Sequence, residues 1–299
     1  MRRVAPLEEL IYNNGERLIP GVTHDIFELI RHRSTYVFFR NIIESDLVSG
    51  RVRAPVRVVD VGCGVGHGCY TLSEIPETRT LGVDISQEAI EYAKEHYANR
   101  NITYQCADLR EFASAMPEFD YVVSRHAFEH IPNGIDLALS IKYNTRLMFE
   151  VPYDERKGNP HHVLLGIREW SFARFPEAEL FFQDLEGTIY DLRGKPAGPN
   201  GIICISSCPG AGKVVETKLS FPLPPWQPDR EYRHLMQQYL DKHREHQDLQ
   251  KEHQALQQTR AVIFARKLGE HPFLMKLASA GYSFMAKMYL VFRRSKDDI

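Results

Sequence analysis

Between residues 56 and 124, short β-branched runs alternate with stretches of helical rhythm, the pattern of βαβ units feeding a parallel sheet. The apolar runs predict strands over 56–61, 79–84, 103–106 and 121–124. Residues 87–97 predict a helix, with Ser86 as N-cap just ahead of Glu88. A fifth strand is expected over 146–151, after which Pro152 and Gly158-Asn159-Pro160 break the rhythm into a loop. Residues 180–183 or 188–192, then 202–206, predict a closing antiparallel pair, separated by Gly194, Pro196, Gly198 and Pro199. The expected fold class is α/β: a doubly wound sheet of about seven strands followed by a long C-terminal helical extension.

The proline-rich segment 220–228 reads as an extended linker that ends an α/β domain over 51–219, itself preceded by a helical lid over 1–50. From Asp229 to Leu268 neither Gly nor Pro occurs, and Leu235, Leu249, Leu256 and Ile263 recur at heptad spacing with Lys242 in the missing place. A long helix is expected over 229–268. Its companion seam positions (Tyr232, Tyr239, His246, His253 and Arg260) are large and polar, which leaves open self-association as a coiled coil or a solvated single helix. Over 271–296, Phe273, Leu274, Leu277, Phe284, Met285, Met288, Val291 and Phe292 recur at helical intervals beside Lys276, Lys287, Arg293, Arg294 and Lys296. That pattern predicts an amphipathic basic helix suited to an anionic membrane surface or to a protein partner, not a membrane span.

Charge sharpens this division. Residues 1–230 carry 25 basic against 31 acidic side chains, whereas residues 231–299 carry 12 against 8. A mildly acidic body argues against nucleic acid as a partner. Cys63, Cys69, Cys106, Cys204 and Cys208 lack the C-x-x-C spacing of a zinc site, and no apolar leader precedes Asn13 and Asn14. The expected location is the cytoplasm, peripheral at the inner face of the membrane.

Asp60-Val61-Gly62-Cys63-Gly64-Val65-Gly66, with Gly68 after it, follows directly on the first strand, where glycines let the backbone turn sharply and approach a ligand. A dinucleotide fingerprint fails: the third glycine place falls on His67 or Cys69. A P-loop fails around Gly212-Lys213, where Ser207 and Val214 stand in place of the required glycine and hydroxyl. The run instead resembles the first motif of class I methyltransferases. Gly82-Val83-Asp84-Ile85-Ser86, Ala107-Asp108-Leu109 and 119–124 followed by Phe128-Glu129-His130-Ile131 stand where that family has its later motifs, so the likeness covers roughly residues 12–209.

The resemblance implies a Rossmann-like methyltransferase sheet with S-adenosylmethionine as cofactor. It implies that Gly62, Gly64 and Gly66 contact the methionine part, Asp84 the ribose hydroxyls, Ile85 the adenine face and Asp108 the adenine amine, with Ala107 and Leu109 flanking it. Asp60 then orders the glycine loop, and Arg125, just after the fourth strand, joins the cofactor contacts. Gly15-Glu16-Arg17-Leu18-Ile19-Pro20-Gly21 and Arg31-His32-Arg33-Ser34-Thr35-Tyr36 are similar to a prelude in a subset that accompanies surface-polysaccharide (O-antigen or capsule) assembly. Arg33 or Tyr36 is the expected lid contact to the cofactor.

Methyl transfer to a hydroxyl needs proton removal, which histidine performs near neutral pH. The candidates are His126 and His130 after the fourth strand, and His161 and His162 after the fifth; of these, His130, His161 and His162 are the expected catalytic set. Glu150, Asp154 and Glu155 lie near in sequence, but spacing alone does not make a metal site, and none is assigned. The expected acceptor is a carbohydrate or lipid-linked glycan, which the protein would O-methylate. A small lipid or quinone acceptor, or a non-catalytic cofactor-binding scaffold, stands as the alternative.

Overall fold

The computed structural model of the chain describes residues 6–13, 15, 17–20, 26–156, 159–214, 219–227, 248–249 and 251–255. It divides into two compact units, Met1–Met236 and Gln237–Ile299. Of the second unit only 248–249 and 251–255 are described, and they are helical. The rest of the expected 229–268 helix, and the basic helix over 271–296, lie outside the described residues. Among the described residues no helix is long and apolar enough to cross a membrane.

Two helices, α1 (Pro6–Asn13) and α2 (Ile26–Val48), precede the sheet. The parallel part follows as β1 (Val56–Val61), α3 (His67–Leu72), β2 (Thr78–Asp84), α4 (Gln87–His96), β3 (Ile102–Cys106), α5 (Leu109–Ala115), β4 (Tyr121–Arg125), α6 (Gly134–Ser140) and β5 (Arg146–Pro152). Three antiparallel strands complete it: β6 (Glu179–Gln183), β7 (Ile189–Asp191) and β8 (Gly201–Ser207). The order is β3-β2-β1-β4-β5-β8-β6-β7, so the direction of winding reverses between β1 and β4 and a crevice opens at their carboxyl ends.

Among the described residues the sheet has eight strands, not about seven. Residues 180–183 and 188–192 present themselves in the sequence as alternatives, but a tight turn at 184–188 lets both be strands, paired as a hairpin from Phe181↔Asp191 to Gln183↔Ile189. The short edge strand β7 is covered in turn. Leu223 of the proline-rich segment exchanges backbone hydrogen bonds with Ile189 at 2.8 and 3.1 Å, and Phe221 packs against Phe38 and Phe181. The prolines around Leu223 keep the edge from continuing as an open ladder.

β1, β4 and β8 are buried along nearly their whole length, as expected of strands covered on both faces. One face packs Val59, Val122, Leu147 and Phe149 under Phe112 of α5 and Ala138 of α6. The other packs Val58, Val123, Met148 and Ile203 under Tyr36, Phe38, Phe39, Ile42 and Ile43 of α2. The N-terminal helix α2 is therefore a layer of the core. Its apolar and polar residues are buried around most of its circumference, so no single stripe marks its orientation in the sequence.

A buried ion pair fixes that layer. Arg146 of β5 and Asp46 of α2 are both fully buried, with Nε donating to Oδ2 at 2.8 Å and Nη2 to Oδ1 at 3.1 Å. The Tyr121 hydroxyl and Arg51 also donate to Asp46, while Arg146 donates to the carbonyls of Ala211 and Gly212 and to Ser207. Removing one partner of such a pair strands a buried charge, a loss of about 3–5 kcal/mol. Denaturant unfolding of Asp46→Ala is expected to show a loss of that size; a loss under about 1 kcal/mol would mean the network is replaceable by water.

Candidate functional site

The glycine turn carries the backbone from β1 across the sheet edge. Gly62, Gly64 and Gly66 all adopt positive φ (77°, 53° and 85°), the left-handed region that costs glycine nothing. At Gly62 a side chain is excluded twice over, because an added Cβ would stand 2.3 Å from that of Ala127. Gly66 and Gly68 serve packing: their missing side chains make room for the rings of Tyr104 and Tyr36. Beneath the turn, Asp60 is fully buried and accepts hydrogen bonds from the Tyr36 hydroxyl (3.0 Å) and the Cys69 thiol (3.4 Å). Burial raises its carboxyl from the ordinary 3.8 to about 7.

Asp84 closes β2 and ties the turn to it. Its Oδ2 accepts the Gly64 N–H at 2.9 Å, and its Oδ1 accepts the Ser86 N–H at 2.9 Å. Ser86 caps α4 as the sequence predicts, accepting the Ala89 N–H. Arg17, from the segment after α1, also donates to Asp84 Oδ1, through Nε at 3.1 Å and Nη2 at 2.9 Å. Ile85, Ala107, Asp108 and Leu109 line the same cleft, which has a volume of about 840 Å³. Asp108 is also the N-cap of α5, accepting the Arg110 N–H at 2.7 Å.

The structure places the lid differently from expectation. Arg33 points away from the cleft: it bonds Thr71 and Glu74 and stacks on Trp226. Tyr36 is interior, as its bond to Asp60 requires, and neither residue lines the cleft. Arg31 and His32 do, together with Arg17. The reason is helical phase: residues two apart project to nearly opposite sides, so only one of Arg31 and Arg33 can face the ligand. Gly66 likewise does not line the cleft, whereas Asp60 lies beneath the turn that it is expected to order.

The wall opposite Asp84 is built from the ends of β4 and β5. Arg125 donates through Nε to Glu150 Oε2 at 2.9 Å; Thr35 of α2 donates to the same oxygen at 2.6 Å. His126 sits at φ 57°, a strained left-handed backbone for a non-glycine residue. Burial and the neighbouring Arg125 hold its imidazole well below the ordinary value, hence neutral. Glu129, in the 3₁₀ turn Phe128–His130, is fully buried, and neither of its carboxylate oxygens has a hydrogen-bond partner among the described residues. Burial raises it to about 8.

The loop after β5 is pinned onto that turn, because the N–H groups of Val163 and Leu164 both donate to the Glu129 carbonyl at 2.9 and 3.0 Å. His162 is thereby brought to Glu129 (Nε2 to Oε1, 4.0 Å), with its Nδ1 bonded to Glu155. His130 meets it ring to ring at 4.8 Å. Of the expected catalytic histidines, His130 and His162 thus come together; the His161 ring is exposed, and only its carbonyl joins the cluster, bonded by His130 Nδ1 at 3.1 Å. The sequence names Glu155 only as a carboxylate near the histidine pair and Glu129 only as a member of the fourth motif, with no role for either. Glu129 sits inside a motif whose other members already explained its position, and a buried carboxylate without partners has no sequence signature.

The cleft fits an adenosine-bearing cofactor on its own geometry. A glycine turn without Cβ atoms, a carboxylate at the end of β2 and an apolar shelf at Ile85 and Leu109 converge on one space. A methyltransferase domain family matches residues 58–141. The malonyl-[acyl-carrier protein] O-methyltransferase of Acetivibrio thermocellus is 29% identical over 85 residues, 28% of this chain and 30% of that protein. A ubiquinone biosynthesis O-methyltransferase of Coxiella burnetii is 36% identical over 78 residues, 25% and 33% of the two chains. Phosphoethanolamine N-methyltransferase 1 of Triticum aestivum is 32% identical over 82 residues, 27% and 16%. The chain spans about a third or less of the curated relatives it matches.

Among solved structures, the bifunctional kinase-methyltransferase WbdD has a TM-score of 0.44 at 20% identity, covering 56% of this chain and 39% of that one. An S-adenosylmethionine-dependent methyltransferase from Archaeoglobus fulgidus has a TM-score of 0.40 at 17% identity, covering 56% and 94%. Over residues 58–141 the chain thus matches a methyltransferase domain, for which S-adenosylmethionine is the cofactor.

Two measurements probe this half of the cleft. In calorimetry, Asp84→Ala is expected to weaken S-adenosylmethionine binding by about 10- to 100-fold, as loss of charge-assisted hydrogen bonds to two ribose hydroxyls would; unchanged affinity would displace the ribose from β2. Asp60 is a carboxyl whose folded value lies above its unfolded one, so the stability it contributes is fully present below pH 4 and is lost as pH rises through 7. Between pH 5 and 8, wild type should therefore lose on the order of 2 kcal/mol of unfolding free energy relative to Asp60→Asn. Parallel pH curves would show that Asp60 is ionised throughout.

Proposed function

We propose that the protein is an S-adenosylmethionine-dependent O-methyltransferase acting on a hydroxyl of a bacterial surface glycan, at the cytoplasmic face of the membrane. The observation that carries the O-methyl reading is the cluster of His126, His130, Glu155 and His162 lining the same cleft as Asp84, with Glu129 buried behind them. The cofactor supplies an electrophilic methyl group on a sulfonium. As the acceptor oxygen bonds to that methyl carbon and the sulfur–carbon bond breaks, the hydroxyl proton must leave to a group or solvent at this wall.

Each residue has a part derived from its surroundings. Asp84, held by Gly64 and Ser86, presents the ribose anchor, and Arg17 has to release its oxygen when the hydroxyls arrive. Arg31 and His32 of α2 cover the turn. Thr35, Arg125 and Glu150 brace the floor on which His126 rests. The histidine and glutamate cluster activates the acceptor. The matched segment, 58–141, ends before β5, so its relatives speak for cofactor binding; they include O- and N-methyltransferases alike.

The glycan acceptor is supported by the prelude over 15–36 and by the basic, amphipathic pattern of 271–296. That tail suits an enzyme working on lipid-linked chains at an anionic surface.

The test is methyl transfer from labelled S-adenosylmethionine to lipid-linked or extracted surface glycan, with hydroxylated quinone as the competing acceptor. Label in the glycan supports the proposal. Label in quinone alone transfers it to a lipid acceptor, and cofactor binding without turnover on either leaves a scaffold. His162→Asn is expected to lower kcat by about 10²- to 10⁴-fold while cofactor affinity stays constant.

A further inference from the structure

We propose that Glu129, His130 and His162 bind a divalent first-row transition cation at the acceptor end of the cleft. One donor atom from each residue lies within 4.8 Å of the other two. The donors of a cation bonded at about 2.0–2.2 Å stand roughly 3–4 Å apart, so small side-chain rotations close the shell. Two imidazoles and one carboxylate favour a zinc- or manganese-like ion over magnesium or calcium, which prefer all-oxygen shells.

Glu129 supplies the independent sign of a missing ligand. It is fully buried, and both its oxygens lack a hydrogen-bond partner among the described residues. Buried carboxylates are ordinarily satisfied, and one aimed at two imidazoles asks for a cation. No hydrogen bond answers that need: Arg125 bonds Glu150 through Nε, and His126 Nδ1 stands 3.8 Å from Glu129 Oε1, beyond hydrogen-bond distance.

The histidines are already set in the tautomers a metal requires. His130 Nδ1 bonds the His161 carbonyl, which as an acceptor demands the proton on Nδ1 and leaves Nε2 as the ligand. His162 Nδ1 bonds Glu155, and its Nε2 accepts from the Asn159 amide at 3.1 Å, a contact the cation would replace. Carboxylate, histidine and cation would then form the usual chain of outer and inner ligands. The two segments that carry the ligands, 126–130 and 159–164, are locked together by the paired bonds from Val163 and Leu164 to the Glu129 carbonyl. The ion therefore has a preformed seat.

Three protein ligands leave coordination positions open, as in catalytic rather than structural sites. An acceptor bearing two neighbouring oxygens can fill them, and the cation lowers the hydroxyl's hold on its proton. This role rests on the methyltransferase reading; the binding site does not.

The full-length chain, stripped with chelator and dialysed, is titrated with Mn²⁺ by electron paramagnetic resonance and with Zn²⁺ by calorimetry. One ion per chain is expected. Glu129→Gln should weaken binding by about 100-fold or more, and Glu155→Gln by about 10- to 100-fold. Circular dichroism verifies that each variant is folded, and His162→Asn replaces Glu129→Gln if that one is not. Failure of folded wild type to bind either ion, or equal binding by wild type and a folded ligand variant, overturns the site. Methyl transfer abolished by chelator and restored by Mn²⁺ supports the ion's part in the chemistry. Transfer indifferent to chelator removes that part and leaves the methyltransferase standing; ion binding without transfer to any acceptor does the reverse.

Discussion

Helix α2 is held against the sheet by the fully buried Asp46–Arg146 pair, and the geometry of the cleft follows from that attachment. The same helix reaches the other end of the sheet through Thr35, which donates to Glu150 and accepts from Gln183. Between these anchors its helical phase is set, so Arg31 and His32 face the cleft while Arg33 turns to Glu74 and Trp226. A buried ion pair of this kind adds little net stability over an apolar one, but its geometry is unforgiving, which suits an element whose rotation decides what lines a site.

The carboxyl edge of the sheet keeps two kinds of polar residue. Asp84 is saturated by Gly64, Ser86 and Arg17, and Asp60 by Tyr36 and Cys69. Glu129, one oxygen of Glu150, His126 Nε2 and Arg125 Nη2 are buried without hydrogen-bond partners among the described residues. Desolvated groups left in this state cost free energy that the core must offset, and such costs concentrate where a ligand or reaction supplies the missing partner. The strained φ of His126 lies in the same patch.

The cleft thus has a cofactor half written by backbone and an acceptor half written by side chains. The first half depends on glycines, a strand end and a helix cap, all within the segment 58–141 that matches a methyltransferase domain family. The second half is assembled from β4, β5 and the 159–164 loop, and part of it lies beyond the matched segment 58–141.

Strand periodicity, the positive-φ glycines and the carboxylate closing β2 were legible in the sequence, because each rests on neighbours within a few residues. The strand count was not: 180–183 and 188–192 compete as patterns but pair in space. The phase of α2 was illegible because the helix is buried nearly all round, leaving no apolar stripe to orient Arg31 against Arg33. Nor could spacing show that Glu129 and His162, 33 positions apart, share a site, since two backbone bonds to the Glu129 carbonyl bring them together. The sequence by itself determined the doubly wound α/β sheet and the turn that receives the cofactor, since local conformational limits dictate both. Tertiary structure alone decided which charged side chains are buried, paired or left waiting, because burial is a property of the assembled layers.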